Sequence, residues 1–453
     1  MKNKEFLGTE PIGRLLLKMA IPTVLAQLVN MFYNIVDRIF IGHIEGVGDY
    51  ALTGVGLCMP IIMAISAFAA LISSGGAPRA SICLGEGKHQ EAEKILGNCF
   101  TLQIIVSALL TNLIIIFGKP LLMQFGASVN TIDYATQYLE IYALGTIFVQ
   151  LTLGMNAYIT AQGATKISMI SVLIGAIANI MLDPIFIFGL GMGVKGAALA
   201  TVISQMIACA FALSFLLGKK TILKIKRQNI EINPKIVLPC IALGLAHFIM
   251  QISESIISIC FNSSLQNYGG DIAVGAMTIL TSVMQFAMLP LQGVAQGSQP
   301  IISYNYGAKN KERVKSTFFL LLKVSLTYSV ILWGCIMLLP SVFANIFTNK
   351  PELVEFTSFA LRIYCAALLI FGMQVAAQMT FISLGKAISS ITVAVVRKFV
   401  LLIPLIYIVP QFVADKTMGV YLAEPIADTL AVTFTTLLFI FTFRKALREM
   451  DKI

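Results

Sequence analysis

Charge is what this sequence lacks most. Only 12% of its 453 residues are Asp, Glu, Lys or Arg, against the roughly 25% of a soluble domain, while 57% are hydrophobic. A soluble chain of this length would divide into about three domains with polar surfaces; here apolar runs recur from end to end, and the bilayer is the expected solvent. Histidine and tryptophan are nearly absent, at three and one. The eight cysteines (Cys58, Cys83, Cys99, Cys209, Cys240, Cys260, Cys335 and Cys365) are scattered without a C-x-x-C pair, which excludes a zinc ribbon or a disulfide scaffold. There is no H-E-x-x-H, G-x-S-x-G or Walker A segment, so the chain is not expected to be an enzyme. The net charge of +10 and pI near 9.1 accompany no nucleic-acid-binding motif, and no nucleic-acid partner is expected.

What is present is a series of apolar stretches long enough to cross about 30 Å of hydrocarbon as helix. They lie at 17–42, 51–74, 96–117, 137–161, 167–190, 196–217, 236–261, 272–300, 316–344, 357–383, 389–412 and 421–442. None alternates as a barrel strand would, so all twelve read as helices. The first is too long for a signal-peptide core and lacks a small-residue cleavage site, and is expected to remain as a membrane helix. Arg79, Lys88, Lys94, Lys166, Lys219, Lys220, Lys224, Lys226, Arg227, Lys235, Lys309, Lys311, Arg313, Lys315 and Lys386 fall on one side, against Lys119, Lys195, Lys350 and Lys416 on the other. The positive-inside rule then puts both termini in the cytoplasm.

The polar stretch 218–235 divides the spans six and six, which predicts an amino lobe over 1–217, a cytoplasmic linker and a carboxy lobe over 236–453. Sequence repetition supports this division. Gly75-x-x-Pro78-x6-Gly85 returns as Gly297-x-x-Pro300-x6-Gly307, and the same offset of 222 residues pairs Asp49 with Asp271, Ile141-Tyr142 with Ile363-Tyr364, and Gly163 with Gly385. In the first and seventh spans the offset is 217, pairing Pro22 with Pro239, Asn34 with Gln251 and Asp37 with Glu254. A longer external loop around Asn262 to Gly270 is expected to absorb the difference. Halves with an even number of spans repeat in parallel. The expected fold is therefore an all-α integral membrane protein with twelve transmembrane helices in two six-helix lobes.

Ionisable groups inside the spans are the first candidates for function, because a membrane charge is costly unless hydrated, protonated or paired. Asp37 stands in the first span beside Arg38; it is either a boundary group paired with that arginine or a cation or proton site. Asn179 and Asp183 are i and i+4 on one helical face, which offers oxygen ligands to a hard monovalent cation such as Na+ or a carboxylate to a proton. The plainer alternative is a helix-end Asp before Pro184. Glu254 is a structural hydrogen-bonding group or a further cation site. Asn156, Tyr158, Gln162 and Thr201 are weaker candidates, since such groups also bond neighbouring helices. Gln251, Gln285, Gln292, Gln374 and Gln378 interrupt apolar spans rich in Phe and Met and are candidates for a substrate wall. Arg397 and Lys398 in the eleventh span need acidic partners, and Glu424 and Asp428, i and i+4 on the twelfth, are available.

Asp37, the segment Asn179-x3-Asp183-Pro184-x-Phe186-x-Phe188-Gly189, the following Gly193-Val194-Lys195-Gly196-Ala197-Ala198 and the repeated Gly/Pro loops together resemble the multidrug and toxic compound extrusion (MATE) transporters, over essentially the whole chain. The resemblance implies an antiporter of the bacterial cytoplasmic membrane that expels cationic amphipathic compounds against inward H+ or Na+, as a monomer and with no cofactor besides the coupling ion. It makes Asp37, Asn179 and Asp183 the core of an amino-lobe cation site, with Asn156 and Thr201 contributing. Glu254 matches the acidic position that other members use in the seventh helix. The Asp that some relatives carry in the tenth helix is missing here, which favours coupling through the amino lobe. A lipid-linked saccharide flippase of the same superfamily is the alternative; such chains line the cavity with several basic residues, whereas Arg397 and Lys398 are few.

Overall fold

The structure, a computed structural model, describes residues 6–451. Helix α1 (Phe6–Thr9) precedes α2 (Ile12–Gly42), α3 (Gly48–Gly85), α4 (His89–Gln124), α5 (Ile132–Leu144), α6 (Thr146–Ala161), α7 (Thr165–Pro184) and α8 (Val194–Leu217). Then come α9 (Pro234–Gly307), α10 (Lys311–Leu338), α11 (Pro340–Asn345), α12 (Pro351–Tyr364), α13 (Leu368–Ser383), α14 (Ala387–Val395), α15 (Ile403–Ile408) and α16 (Lys416–Glu449). No strand occurs among the described residues. Nine helical stretches are each long and apolar enough to cross a membrane, and two bent pairs qualify when each is taken as one span. The 74-residue α9 is two helices joined at Gly270, whose backbone is non-helical (φ 63°, ψ −159°). Counted this way, the described residues carry the twelve spans expected.

One expectation needs correction, and the bundle adds a feature the sequence reading did not address. The external loop around Asn262 to Gly270 does not exist: helix continues through Asn262, Ser263 and Ser264 and yields only at Gly270. Phe261 and Leu265 are fully buried, and their packing holds as helix a segment whose polar residues read as a turn. The fourth and tenth spans are not straight. They bend by 55° between α5 and α6 and by 54° between α12 and α13. The second helix of each pair starts after Gly145 and Ala367, positions separated by the repeat offset, so the bend belongs to both halves. At Gly145 a Cβ would come within 2.4 Å of Val202 Cγ2; glycine there lets α8 approach the bend.

Among the described residues, chain contacts define two compact units, one of Phe6–Leu7 and Ile21–Gly244, the other of Gly8–Ala20 and residues 245–451. The division falls inside α2, next to Pro22, and inside α9, five residues after Pro239. In the first unit a core that includes Ile41, Val55, Ile65, Leu122, Tyr138, Leu139, Ile187 and Ala197 joins all six spans. The second has two cores, one around Phe261, Leu280 and Tyr421 and one around Phe318, Phe381 and Phe439, in which Phe439 stacks on Phe318 and meets Phe381 edge to face. Outward apolar side chains such as Ile116, Phe117 and Phe441 stay exposed, as lipid-facing positions must.

The segment between α8 and α9 is fastened to the first unit. Gln162 Oε1 accepts hydrogen bonds from Thr221 Oγ1 at 2.8 Å, Ile222 N at 2.7 Å and Leu223 N at 3.2 Å. Asn98 Oδ1 accepts from Asn233 N at 2.6 Å, and Lys226 pairs with Glu93 at 2.5 Å.

Candidate functional site

The first unit gathers four of the candidate residues. Asn179 and Asp183 lie one turn apart on α7 and are 1% and 0% exposed. Asn179 Nδ2 donates to Asp183 Oδ1 at 3.2 Å and points also at Thr201 Oγ1 on α8, 3.5 Å away. The Thr201 hydroxyl donates in turn to Ala197 O at 3.0 Å, so its lone pairs are free to face the amide. Asp37, on α2 and buried, brings its carboxyl within hydrogen-bonding reach of Asp183.

Local sequence explains the convergence. At Pro184 the helix loosens into a π-helical turn over Ile185–Gly189, a form common at functional sites. Gly196 opposes that turn so closely that a Cβ would lie 2.7 Å from Phe186 O. The absence of a side chain lets α8 settle against α7 and sets Thr201 opposite Asn179.

Three oxygens in this cluster, Asp37 Oδ1, Asn179 Oδ1 and Asp183 Oδ2, are buried without a hydrogen-bond partner. Asp37 makes no ion pair with Arg38, whose side chain is exposed. Two carboxylates in mutual reach cannot both stay ionised in a low-dielectric site unless a proton or cation joins them. The free oxygens suit either: a proton shared between the acids, or a hard cation ligated by carboxylate and amide oxygens.

Asn156 stands outside this cluster. Its amide donates to Ser171 Oγ at 3.3 Å, and Ser171 donates to Ala208 O at 3.2 Å. Tyr158 and Gln162 are also elsewhere, the latter engaged with the linker. Sequence reading missed two tyrosines: Tyr138 on α5 reaches Thr201, and Tyr33 stands near Asp37. Tyr33 carried a signal, being one turn before Asp37 on the same face. Tyr138 carried none, since a tyrosine in an apolar span reads as packing.

The second unit holds a different acidic group. Arg397 Nε donates to Asp428 Oδ1 at 2.8 Å, its Nη2 lies 3.5 Å from Glu424 Oε1, and its guanidinium sits 4.6 Å from the centre of the Phe371 ring. Lys398 Nζ lies 2.7 Å from Glu254 Oε1, the lysine 5% exposed and the glutamate 63%. Both bases stand on a second π-helical turn, Val396–Leu402. Glu254 is therefore held by a lysine that the sequence did not assign to it. The five glutamines are not gathered together: Gln251, Gln285 and Gln292 are exposed, whereas Gln374 and Gln378 are buried, with Gln378 Nε2 donating to Ser390 Oγ at 2.8 Å.

A two-lobed bundle with repeat-related bends and acids buried in its spans is the architecture of a membrane transporter. The sequence model of the MatE family matches residues 22–185 and 246–408, and the chain belongs to that family. It is similar to the multidrug export protein MepA of Staphylococcus haemolyticus, 25% identical over 455 residues, covering 100% of this chain and 98% of the relative. A FAD transporter of Shewanella oneidensis is 25% identical over 440 residues, covering 95% of each. A solved structure described as MATE in the bent conformation superposes with a TM-score of 0.93 at 23% identity and 100% coverage of both chains, a likeness of fold.

Proposed function

We propose that this protein exports cationic amphipathic compounds, drugs among them, by alternating access, coupled to inward flow of H+ or Na+. Asp37 and Asp183 are the coupling acids in this reading, with Asn179 and Thr201 as neutral ligands. The observation that carries it is the pair of buried carboxyls in mutual reach with unpartnered oxygens. Such a pair binds one positive charge, and binding that favours one lobe arrangement converts the cation gradient into movement. A single inward charge supplies about 2.3 kcal/mol per 100 mV.

The export of drugs by relatives named for that activity supports the cargo assignment. Charge balance supports it independently. In the second unit three acids, Glu254, Glu424 and Asp428, meet two bases, Arg397 and Lys398. The surplus is negative, which suits a cation and disfavours the pyrophosphate of a lipid-linked saccharide or an anionic dinucleotide. The exposed Gln251, Gln285 and Gln292 are the glutamines available to a cargo. We place the protein in the cytoplasmic membrane with both termini inside, on the distribution of Lys and Arg, and read it as a monomer.

Ethidium efflux from proteoliposomes, driven by a Na+ gradient and separately by a pH gradient, tests this reading. Efflux under one of them, abolished in Asp37→Asn, is the expected result. No efflux under either gradient would overturn the drug-antiport assignment and favour the flippase.

A further inference from the structure

Where α10 ends, the second unit carries a groove of about 600 Å³ that the coupling scheme does not use. One wall is α12. Glu355, Phe359 and Arg362 stand at i, i+4 and i+7 and share one exposed helical face, while Thr357, Ala360 and Leu361 are buried behind them. The other wall is polar, formed by Ser341 and Asn345 of α11 and by Asn349 in the turn that follows. Apolar side chains flank it: Val342 is 54% exposed, Ile346 70% and Phe359 50%. On the orientation proposed above, the carboxy end of α10 lies at the outer surface of the membrane, and the inference rests on that reading for its leaflet alone.

Glu355 and Arg362 face the same groove two turns apart, about 10 Å along the helix axis. Neither is ion-paired with the other or with any third charge among the described residues. Arg362 is nevertheless fixed, because its Nε donates to Met337 O at 3.1 Å. That bond satisfies a carbonyl left open by the end of α10 and leaves the Nη groups to a ligand. A guanidinium fork matches phosphate oxygens. A carboxylate beside hydroxyl and amide oxygens suits an ammonium with N–H groups to donate. A positive and a negative group held apart on one wall therefore fit a ligand that carries both charges, and the exposed apolar flank suits hydrocarbon chains.

We infer that this groove binds a zwitterionic phospholipid of the ethanolamine type, with its phosphate on Arg362, its ammonium on Glu355 and an acyl chain along Val342, Ile346 and Phe359. A choline headgroup has no N–H to donate, and a glycerol headgroup has no positive charge. Both leave Glu355 without a partner.

The test uses full-length protein in detergent, given equal amounts of phosphatidylethanolamine, phosphatidylcholine and phosphatidylglycerol and weighed intact by native mass spectrometry. This readout depends on neither orientation nor transport, so its failure leaves the transport reading standing. The unsubstituted protein is expected to retain phosphatidylethanolamine about tenfold over the other two lipids, the effect of one charge-assisted contact. Glu355→Gln is expected to retain ethanolamine and choline lipids equally, and Arg362→Gln to lose about tenfold in ethanolamine-lipid retention. Glycerophosphoethanolamine, the headgroup without chains, is expected not to displace the lipid at equal concentration. Equal retention of the three lipids by the unsubstituted protein would overturn the proposal, whatever the variants do. So would an unchanged preference in Glu355→Gln, or displacement by the chain-free headgroup.

Discussion

Asp37 and Glu254 occupy repeat-related positions in the two halves, and their surroundings have become opposites. Around Asp37 stand another carboxyl, an amide, a hydroxyl and phenols, with no ion-paired base and with oxygens left free. Around Glu254 a buried lysine takes the charge, and the neighbouring Arg397 is shared between Asp428 and Glu424. One inherited acidic position has been kept open to a mobile cation; the other has been filled with a fixed one. A cation that comes and goes can do work, whereas a lysine fixed on another span of the same unit neutralises Glu254 in place. The absence of a tenth-helix Asp fits this division, because the second unit needs no further ligand for a charge it already carries.

The comparison breaks most decisively at the level of transport. Asp37→Asn or Asp183→Asn is expected to abolish gradient-driven ethidium efflux in proteoliposomes, while Lys398→Met paired with Glu254→Met retains a measurable rate. Equal loss in both would mean that the two acidic groups serve one role. Stability should order the variants the other way. Asp428→Asn removes the shorter of Arg397's two acidic contacts and leaves it with Glu424 at 3.5 Å; it should cost about 1–3 kcal/mol, read as a lowered thermal unfolding midpoint in detergent. Asp37→Asn should leave the midpoint unchanged or raise it, since it removes one of two like charges.

A comparable effect is expected at the bends. Gly145→Ala pushes a methyl into Val202 and should cost about 1–3 kcal/mol by overpacking. Its repeat mate is already alanine at 367, and Ala367→Gly should cost less than about 1 kcal/mol. Smallest of all, Lys18→Ala removes an exposed ion pair to Glu10 at 2.8 Å and should change stability by under about 1 kcal/mol.

Much of the fold was legible because membrane spans announce themselves by length, and because glycine, proline and aspartate repeat at a fixed offset where leucine and isoleucine coincide by chance. Asp37, Asn179, Asp183 and Thr201 were legible for a related reason: polar groups in apolar helices are few, and a spacing of four puts two of them on one face. Tyr138 was hidden because its partner lies on another helix, and nothing in its own neighbourhood marks it. Asn156 was the weaker candidate in sequence, lacking a carboxylate one turn away, and its bond is to Ser171, a choice made by helix packing. Lys398 could have joined Glu424 or Asp428 on α16; that it reaches Glu254 on α9 instead depends on how three helices meet. The bends and the missing external loop share this cause, since Gly145 is one glycine among 34 and the helix through Asn262 is held by the burial of Phe261 and Leu265.

Gln162 accepts three hydrogen bonds from the linker with a single oxygen, and Asn98 and Glu93 hold the same stretch further along. A segment anchored this way is not a slack rope whose length sets how far two bodies can separate. Its effective tether is far shorter than its residue count, and it travels as cargo of the first unit. A fluorophore attached at Gln228 would therefore report that unit's motion alone, and lengthening the linker between Ile222 and Asn233 would add slack only after those anchors had been removed.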